Sequence, residues 1–133
     1  MARNYKDKLV YKYFTEDELK CSHCGNLVID DEFIKKIEAL REAVGFPFVV
    51  SSAYRCEQHP IEKRKSTPGA HVTGKAMDIH VTGEKALTLL EEALKAGFTG
   101  IGINQKGQVN SRFIHLDIID NSSTRPRPWI WSY

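Results

Sequence analysis

Two stretches of the chain, residues 76–81 and 113–118, alternate strictly between apolar and polar side chains, and both put the same chemistry on the polar side. In the first, Met77, Ile79 and Val81 oppose Asp78 and His80; in the second, Ile114, Leu116 and Ile118 oppose Phe113, His115 and Asp117. A period of two belongs to a strand with one face buried, so both segments are expected to turn their aliphatic sides onto one core. The opposite face of the sheet then becomes a shallow floor carrying Asp78, His80, His115 and Asp117. Ionisable side chains at such positions need a reason to be there, because burying a charge without a partner is costly.

The rest of the chain supplies what covers the apolar side. Phe33, Ile34, Ile37, Leu40 and Val44 recur at helical spacing, Asp30 or Asp31 can cap the start and Gly45 suits the stop, which predicts an amphipathic helix over residues 31–44. A second helix is predicted over residues 84–96 through Leu87, Leu90 and Leu94, ended by Gly97. Thr15 and Glu18 form a capping box ahead of Leu19. The β-branched run at 47–51 reads as a strand that delivers residues 52–55 at its end, and 100–103 as another brief strand. Between them, residues 56–75 hold Pro60, Pro68, Gly69 and Gly74 without a sustained period, a long loop with room for one helical turn. The order α, β, loop, β, α, β, β predicts an α+β fold, a small antiparallel sheet with helices packed on one face.

At 133 residues and 41% hydrophobic, the chain is expected to form a single domain, with residues 1–13 as an N-terminal extension and the aromatic tail 124–133 packed on it. Nineteen Lys and Arg against seventeen Asp and Glu leave a formal +2, too little for a nucleic-acid footprint by charge alone. No apolar run approaches the roughly 20 residues of a membrane span, and no export signal opens the chain, so synthesis in the cytoplasm as a monomer is expected. Three cysteines, an odd number, disfavour a secreted disulfide framework.

The polar faces point to a metal. A catalytic zinc site takes three protein ligands from His, Asp, Glu or Cys and keeps a position for water. His71, in the loop before the first alternating strand, Asp78 on it and His115 on the second strand make such a set. Gly74 permits the turn that folds His71 and Asp78 onto one ion.

The segment Gly69-Ala70-His71-Val72-Thr73-Gly74-Lys75-Ala76-Met77-Asp78 resembles the SxHxxGxAxD motif of the zinc D-Ala-D-Ala carboxypeptidase family, with Gly69 in place of the usual serine. That family includes phage L-alanyl-D-glutamate endopeptidases and shares its fold with the hedgehog signalling domain. Ser51-Ser52-Ala53-Tyr54-Arg55 resembles its SxYR element, and Phe113-Ile114-His115-Leu116-Asp117 its late ligand-bearing strand. The resemblance implies one catalytic Zn²⁺ on His71, Asp78 and His115, and a peptidase acting on the peptide stem or cross-link of bacterial peptidoglycan, in the manner of a phage endolysin or virion-associated lysin. Such an enzyme would reach the wall after release or as part of a particle. Arg55 stands where the family keeps an arginine for the substrate carbonyl or developing oxyanion. Family members often carry an acidic residue three before the last histidine, but that position is Arg112 here. Asp117 shares the strand face of His115 and is the expected general base, the other reading being a carboxylate that orients a ligand histidine. His80 and Tyr54 are candidate substrate contacts.

Cys21-Ser22-His23-Cys24 and Cys56-Glu57-Gln58-His59 make a CxxC and a CxxH, which together can supply a second, structural zinc site of Cys21, Cys24, Cys56 and His59. Buried thiols beside a surface histidine, or a disulfide, would look the same in sequence. Trp129, Trp131 and Tyr133 are expected to cover the core or a sheet edge in preference to lining a groove. Competing functions are a catalytically inactive zinc-containing binding module of the same fold, a zinc-ribbon-like nucleic-acid module, which the near-neutral charge disfavours, and a cysteine hydrolase using Cys56 and His59, for which no orienting third group is evident.

Overall fold

A computed structural model describes residues 11–65 and 69–133. Most of the expected N-terminal extension, and Pro68, lie outside the described residues. The capping box closes: Thr15 accepts from the Glu18 backbone, Glu18 returns to the Thr15 backbone, and the short helix α1 (Glu16–Leu19) buries Leu19. Helix α2 (Asp31–Val44) starts on the Asp30 side chain, which accepts the Phe33 N–H, and ends on Gly45 in the left-handed region. It buries the expected stripe Phe33, Ile34, Ile37 and Leu40.

Strand β1 (Val49–Ser52) is followed by a one-turn helix α3 (Pro60–Lys63) within the long loop, then β2 (Ala76–His80), α4 (Gly83–Ala96), β3 (Gly100–Asn104), β4 (Phe113–Asp117) and β5 (Trp129–Ser132). The sheet order is β1-β2-β4-β3-β5. Every pairing is antiparallel except the last: β5 runs parallel to β3, with Trp131 beside Gly102. The fold is α+β as expected, with helices against the apolar side, but the sheet is mixed because the C-terminal tail returns as an edge strand. It thereby covers the edge of β3.

Met77, Ile79, Ile101, Ile114 and Leu116 meet Phe33, Ile34, Ile37, Leu40 and Leu89 in one core. Helix α4 departs from its expected stripe. Leu87 is 70% and Leu94 60% exposed, whereas Ala86, Leu89 and Ala93 are buried and Leu90 is half-buried. Two alanines on the buried stripe let α4 approach α2 and β4 closely, which leucines at those places would prevent. Leu89→Ala should therefore cost about 2–5 kcal/mol, and Leu87→Ala less than about 0.5 kcal/mol, a contrast that urea unfolding of the two variants measures directly. No helix among the described residues is long and apolar enough to cross a membrane.

The polar side of the sheet is also covered, against the expectation of a shallow open floor. Asp78, His115 and Asp117 are each less than a tenth exposed. The turn carrying His71 and the returning tail lie over them.

Candidate metal centre

His71 sits in a single 3-10 turn, Ala70–Thr73, that ends on Gly74 at φ +73°. A side chain there is excluded twice over, by the left-handed backbone and by the Val28 carbonyl 2.6 Å from where its Cβ would stand. The Gly74 carbonyl in turn accepts the Asp30 N–H at 2.9 Å, which ties the entrance of β2 to the start of α2. Four residues on, Asp78 lies directly across from His115 in the β2–β4 register. Local turn geometry and strand pairing thus bring together three side chains from distant parts of the sequence.

One donor atom from each of His71, Asp78 and His115 lies within 4.8 Å of the other two, and all three residues are buried. Their hydrogen bonds reveal what the cluster requires. Nδ1 of His71 lies 2.6 Å from the Ala53 carbonyl, which can only accept, so Nδ1 carries the hydrogen and Nε2 keeps its lone pair. That lone pair faces Oδ1 of Asp78 at 3.2 Å. Nε2 of His115 lies 2.8 Å from the Asp117 carboxylate and must donate, leaving the Nδ1 lone pair against the same Asp78 oxygen at 2.9 Å. Three acceptors therefore converge, and only a positive charge, a proton or a metal cation, can sit among them favourably. Two neutral imidazoles and one carboxylate, each imidazole oriented through its other nitrogen, make a donor set that suits Zn²⁺. Without a metal the protonated state answers the same need. Burial opposes a charged His115, but Asp117 and Asp78 outweigh it and hold its pKa above the usual histidine range. Burial likewise opposes a charged Asp78, yet His115 and His71 keep its carboxyl well below the carboxylate range.

Asp117 stands on the opposite side of the His115 ring from Asp78 and is fully buried. Nε and Nη2 of Arg127 donate to its two oxygens at 3.0 and 2.8 Å, and the Ile119 N–H adds a third contact. Burial works against its charge, but His115 and Arg127 lower its pKa to about 2. Both oxygens are engaged by His115, Arg127 and Ile119, an arrangement that suits the alternative expectation, a carboxylate that orients a ligand histidine. Strand β3 makes room for the arrangement. A Cβ at Gly100 would collide with the Asp117 carboxylate, and one at Gly102 would lie 2.5 Å from Nε1 of Trp131. The indole of Trp131 packs on His115 with ring centroids 5.0 Å apart, and the Arg127 guanidinium lies 5.2 Å from the indole centroid. The tail thus covers the sheet edge and also walls the metal centre.

Arg55 reaches the same centre from the end of β1. Its Nη2 is 3.8 Å from Oδ2 of Asp78, and its Nη1 donates to Glu62 at 3.1 Å. Glu62, which no sequence motif singles out, is buried on α3 and also accepts from Lys65 and from the Gly69 N–H. A side chain at Gly69 would run into Lys65 and Glu62, so the glycine found in place of the motif's serine suits the carboxylate that fixes Arg55. Burial raises the Glu62 pKa, but Lys65, Gly69 and Arg55 bring it below its ordinary 4.5. A depressed folded value means stability that is complete above pH 4.5 and lost as pH falls below it. The stability gap between the native protein and Glu62→Gln should accordingly be widest near neutral pH and close on acidification, as read from denaturant midpoints across that range.

The remaining sequence candidates separate. His80 shares the face of Asp78, and its Nδ1–H donates to the Arg112 carbonyl at 2.8 Å, which leaves Nε2 as an acceptor. It stands outside the group of three ligands. Tyr54 lines a groove of about 520 Å³ along β1 together with Arg55 and Ser52, instead of the metal cluster. Tyr133 packs at a tilt against Phe113 with ring centroids 5.0 Å apart, and burial pushes its hydroxyl pKa up, with Asp78 and Asp117 adding to the effect. Cys21, Cys24 and Cys56 form a second close group, but His59 lies outside it. Nε2 of His59 is 3.2 Å from the Ser22 hydroxyl, and its Nδ1 accepts the Ile61 N–H.

Residues 12–117 match the family model described as Peptidase M15. No curated protein matches the chain.

Proposed function

This chain belongs to the peptidase M15 family, whose members are zinc peptidases, and from that premise we propose that it hydrolyses an amide bond in the peptide stem or cross-link of bacterial peptidoglycan. The observation that carries the proposal is the convergence of His71 Nε2, His115 Nδ1 and the Asp78 carboxylate on one point, with Arg55 beside them. These three residues would hold the Zn²⁺, which when bound polarises a scissile carbonyl and acidifies a water. Ala53 and Asp117 fix the tautomers of the two histidines. Arg55, braced by Glu62, presents its guanidinium where a substrate carbonyl gains negative charge. Asp117 orients His115, and the proton-accepting role passes to Nε2 of His80, on the same sheet face. The peptidoglycan substrate and the part of a phage endolysin or virion-associated lysin, acting on the wall after synthesis in the cytoplasm, rest on the motifs shared with wall peptidases.

Two observations favour a second reading, a binding module that holds zinc without turnover. The position three before His115 is Arg112, engaged with the Gly107 carbonyl, and Asp117 is sequestered by Arg127. Zymography on bacterial cell walls separates the two. Clearing that disappears in chelator and returns with zinc is the expected outcome, and His80→Ala should reduce it sharply while leaving the zinc content intact. Absence of clearing by the zinc-loaded protein supports the binding module, and clearing that survives chelation contradicts the metallopeptidase.

A further inference from the structure

The three cysteines form a cluster that the peptidase chemistry does not use. Their sulfurs offer one donor atom each within 4.8 Å of one another, and Sγ of Cys21 and Cys56 are 3.7 Å apart. The backbone around Cys21 has the form of a metal-binding turn. The Cys21 carbonyl accepts the Gly25 N–H at 2.9 Å, the Cys21 N–H donates to Asn26 at 2.8 Å, and Gly25 takes φ +74° to close the turn. Backbone N–H groups of Cys56, His23 and Cys24 point at the Cys21 sulfur, that of Cys56 from 3.3 Å. Such N–H dipoles favour a thiolate. Cys56 arrives from the loop that follows Arg55, and its carbonyl starts the next turn by accepting the His59 N–H at 3.0 Å.

We propose that Cys21, Cys24 and Cys56 bind a second zinc ion, a structural one, whose three thiolates tie the N-terminal CxxC turn to the segment that carries Arg55. Soft thiolate donors on a tight turn select zinc over hard divalent cations. The site differs from the Cys₃His set expected from sequence. His59 is engaged by the Ser22 hydroxyl and the Ile61 N–H outside the group of sulfurs, and Cys24 is exposed. Its consequence is mechanical. The Tyr54 N–H already donates to Leu19 at 3.2 Å and the Cys56 N–H to the Cys21 sulfur at 3.3 Å, and the ion adds a further tie between the same two segments, next to the residue that faces Asp78.

The site is independent of the peptidase assignment, and its test reads sulfur ligation alone. Protein purified anaerobically and loaded with zinc is titrated with an organomercurial that consumes thiols, in the presence of a chromogenic zinc chelator. One zinc ion per chain is expected to be released as the three thiols react. A cobalt(II)-substituted sample should show a thiolate-to-metal charge-transfer band, which Cys24→Ser weakens and Asp78→Ala leaves unchanged. Thiols that react without releasing zinc, a cobalt(II) protein lacking the band, or a chain mass two hydrogens short because two cysteines are joined would each overturn the proposal. The first two measurements use the unmodified sequence, so a variant that fails to fold does not blunt the test. A failure of the peptidase reading would appear instead as cell walls left intact by protein whose thiol site is filled.

Discussion

Replacing Arg127 with methionine should destabilise the protein by about 3–5 kcal/mol, the cost of breaking a buried ion pair from one side. The guanidinium side chain is 7% exposed and grips both oxygens of a carboxylate that is fully buried. With it removed, Asp117 retains, among the described residues, the His115 ring and the Ile119 N–H as hydrogen-bond partners for its charge. Its pKa must then rise from about 2, and the hydrogen bond that orients His115 weakens with it. Zinc affinity is expected to fall by about 10- to 100-fold, the usual consequence of losing a partner that orients a ligand. Arg127→Lys should recover part of the stability, because it restores the charge without the two-pronged geometry. Chemical denaturation and zinc competition titrations measure both effects, and a loss below about 1 kcal/mol would show that the pair is not the brace its geometry indicates.

Asp78→Ala should lower hydrolysis to background and remove one zinc ion per chain while the thiol-bound ion stays. Asp78 is the point at which both histidine lone pairs meet, and its carboxylate is the one negative charge in the ligand set. Without it, two neutral imidazoles remain, too few donors to hold zinc tightly against water. The same substitution also takes from the metal-free protein the carboxylate that His115 and His71 stabilise, so a loss of folding stability should accompany the loss of metal. Metal analysis beside a cell-wall clearing assay checks this, and full clearing by the variant would place the active site elsewhere.

The residues that the sequence made legible are those whose reason is local. Helix α2 announced itself through its apolar spacing and its Asp30 and Gly45 ends, because both caps act within one turn. The faces of β2 and β4 followed from alternation, and with them the shared face of Asp78 and His115, whereas their register came only with the strand pairing. Helix α4 shows the limit of periodicity. Leu87 and Leu94 fit a helical stripe as well as Ala86 and Ala93 do, and what decides between them is how closely a neighbouring helix can approach. Glu62 sits among charged loop residues and resembles a solvated side chain until α3 turns it under Arg55. Arg127 lies between two prolines in the tail, and its partnership with Asp117 exists only because β5 docks in parallel on β3. The glycines of β3 carried a usable signal. Gly100 and Gly102 alternate with Ile101 and Ile103, a strand face stripped of side chains, which marks a place where other groups must come close. The role of Asp117 turned on that same docking, since its neighbour two residues away predicts proximity to His115 but not which side of the ring it takes.

The most direct measurement is a crystal structure of the zinc-loaded protein with data collected on both sides of the zinc absorption edge. One anomalous peak shared by Nε2 of His71, Nδ1 of His115 and the Asp78 carboxylate, with Asp117 remaining on Arg127 and on the far nitrogen of His115, is the predicted result. A zinc-saturated crystal with no peak at those three atoms, or with Asp117 itself ligating the ion, would contradict the account.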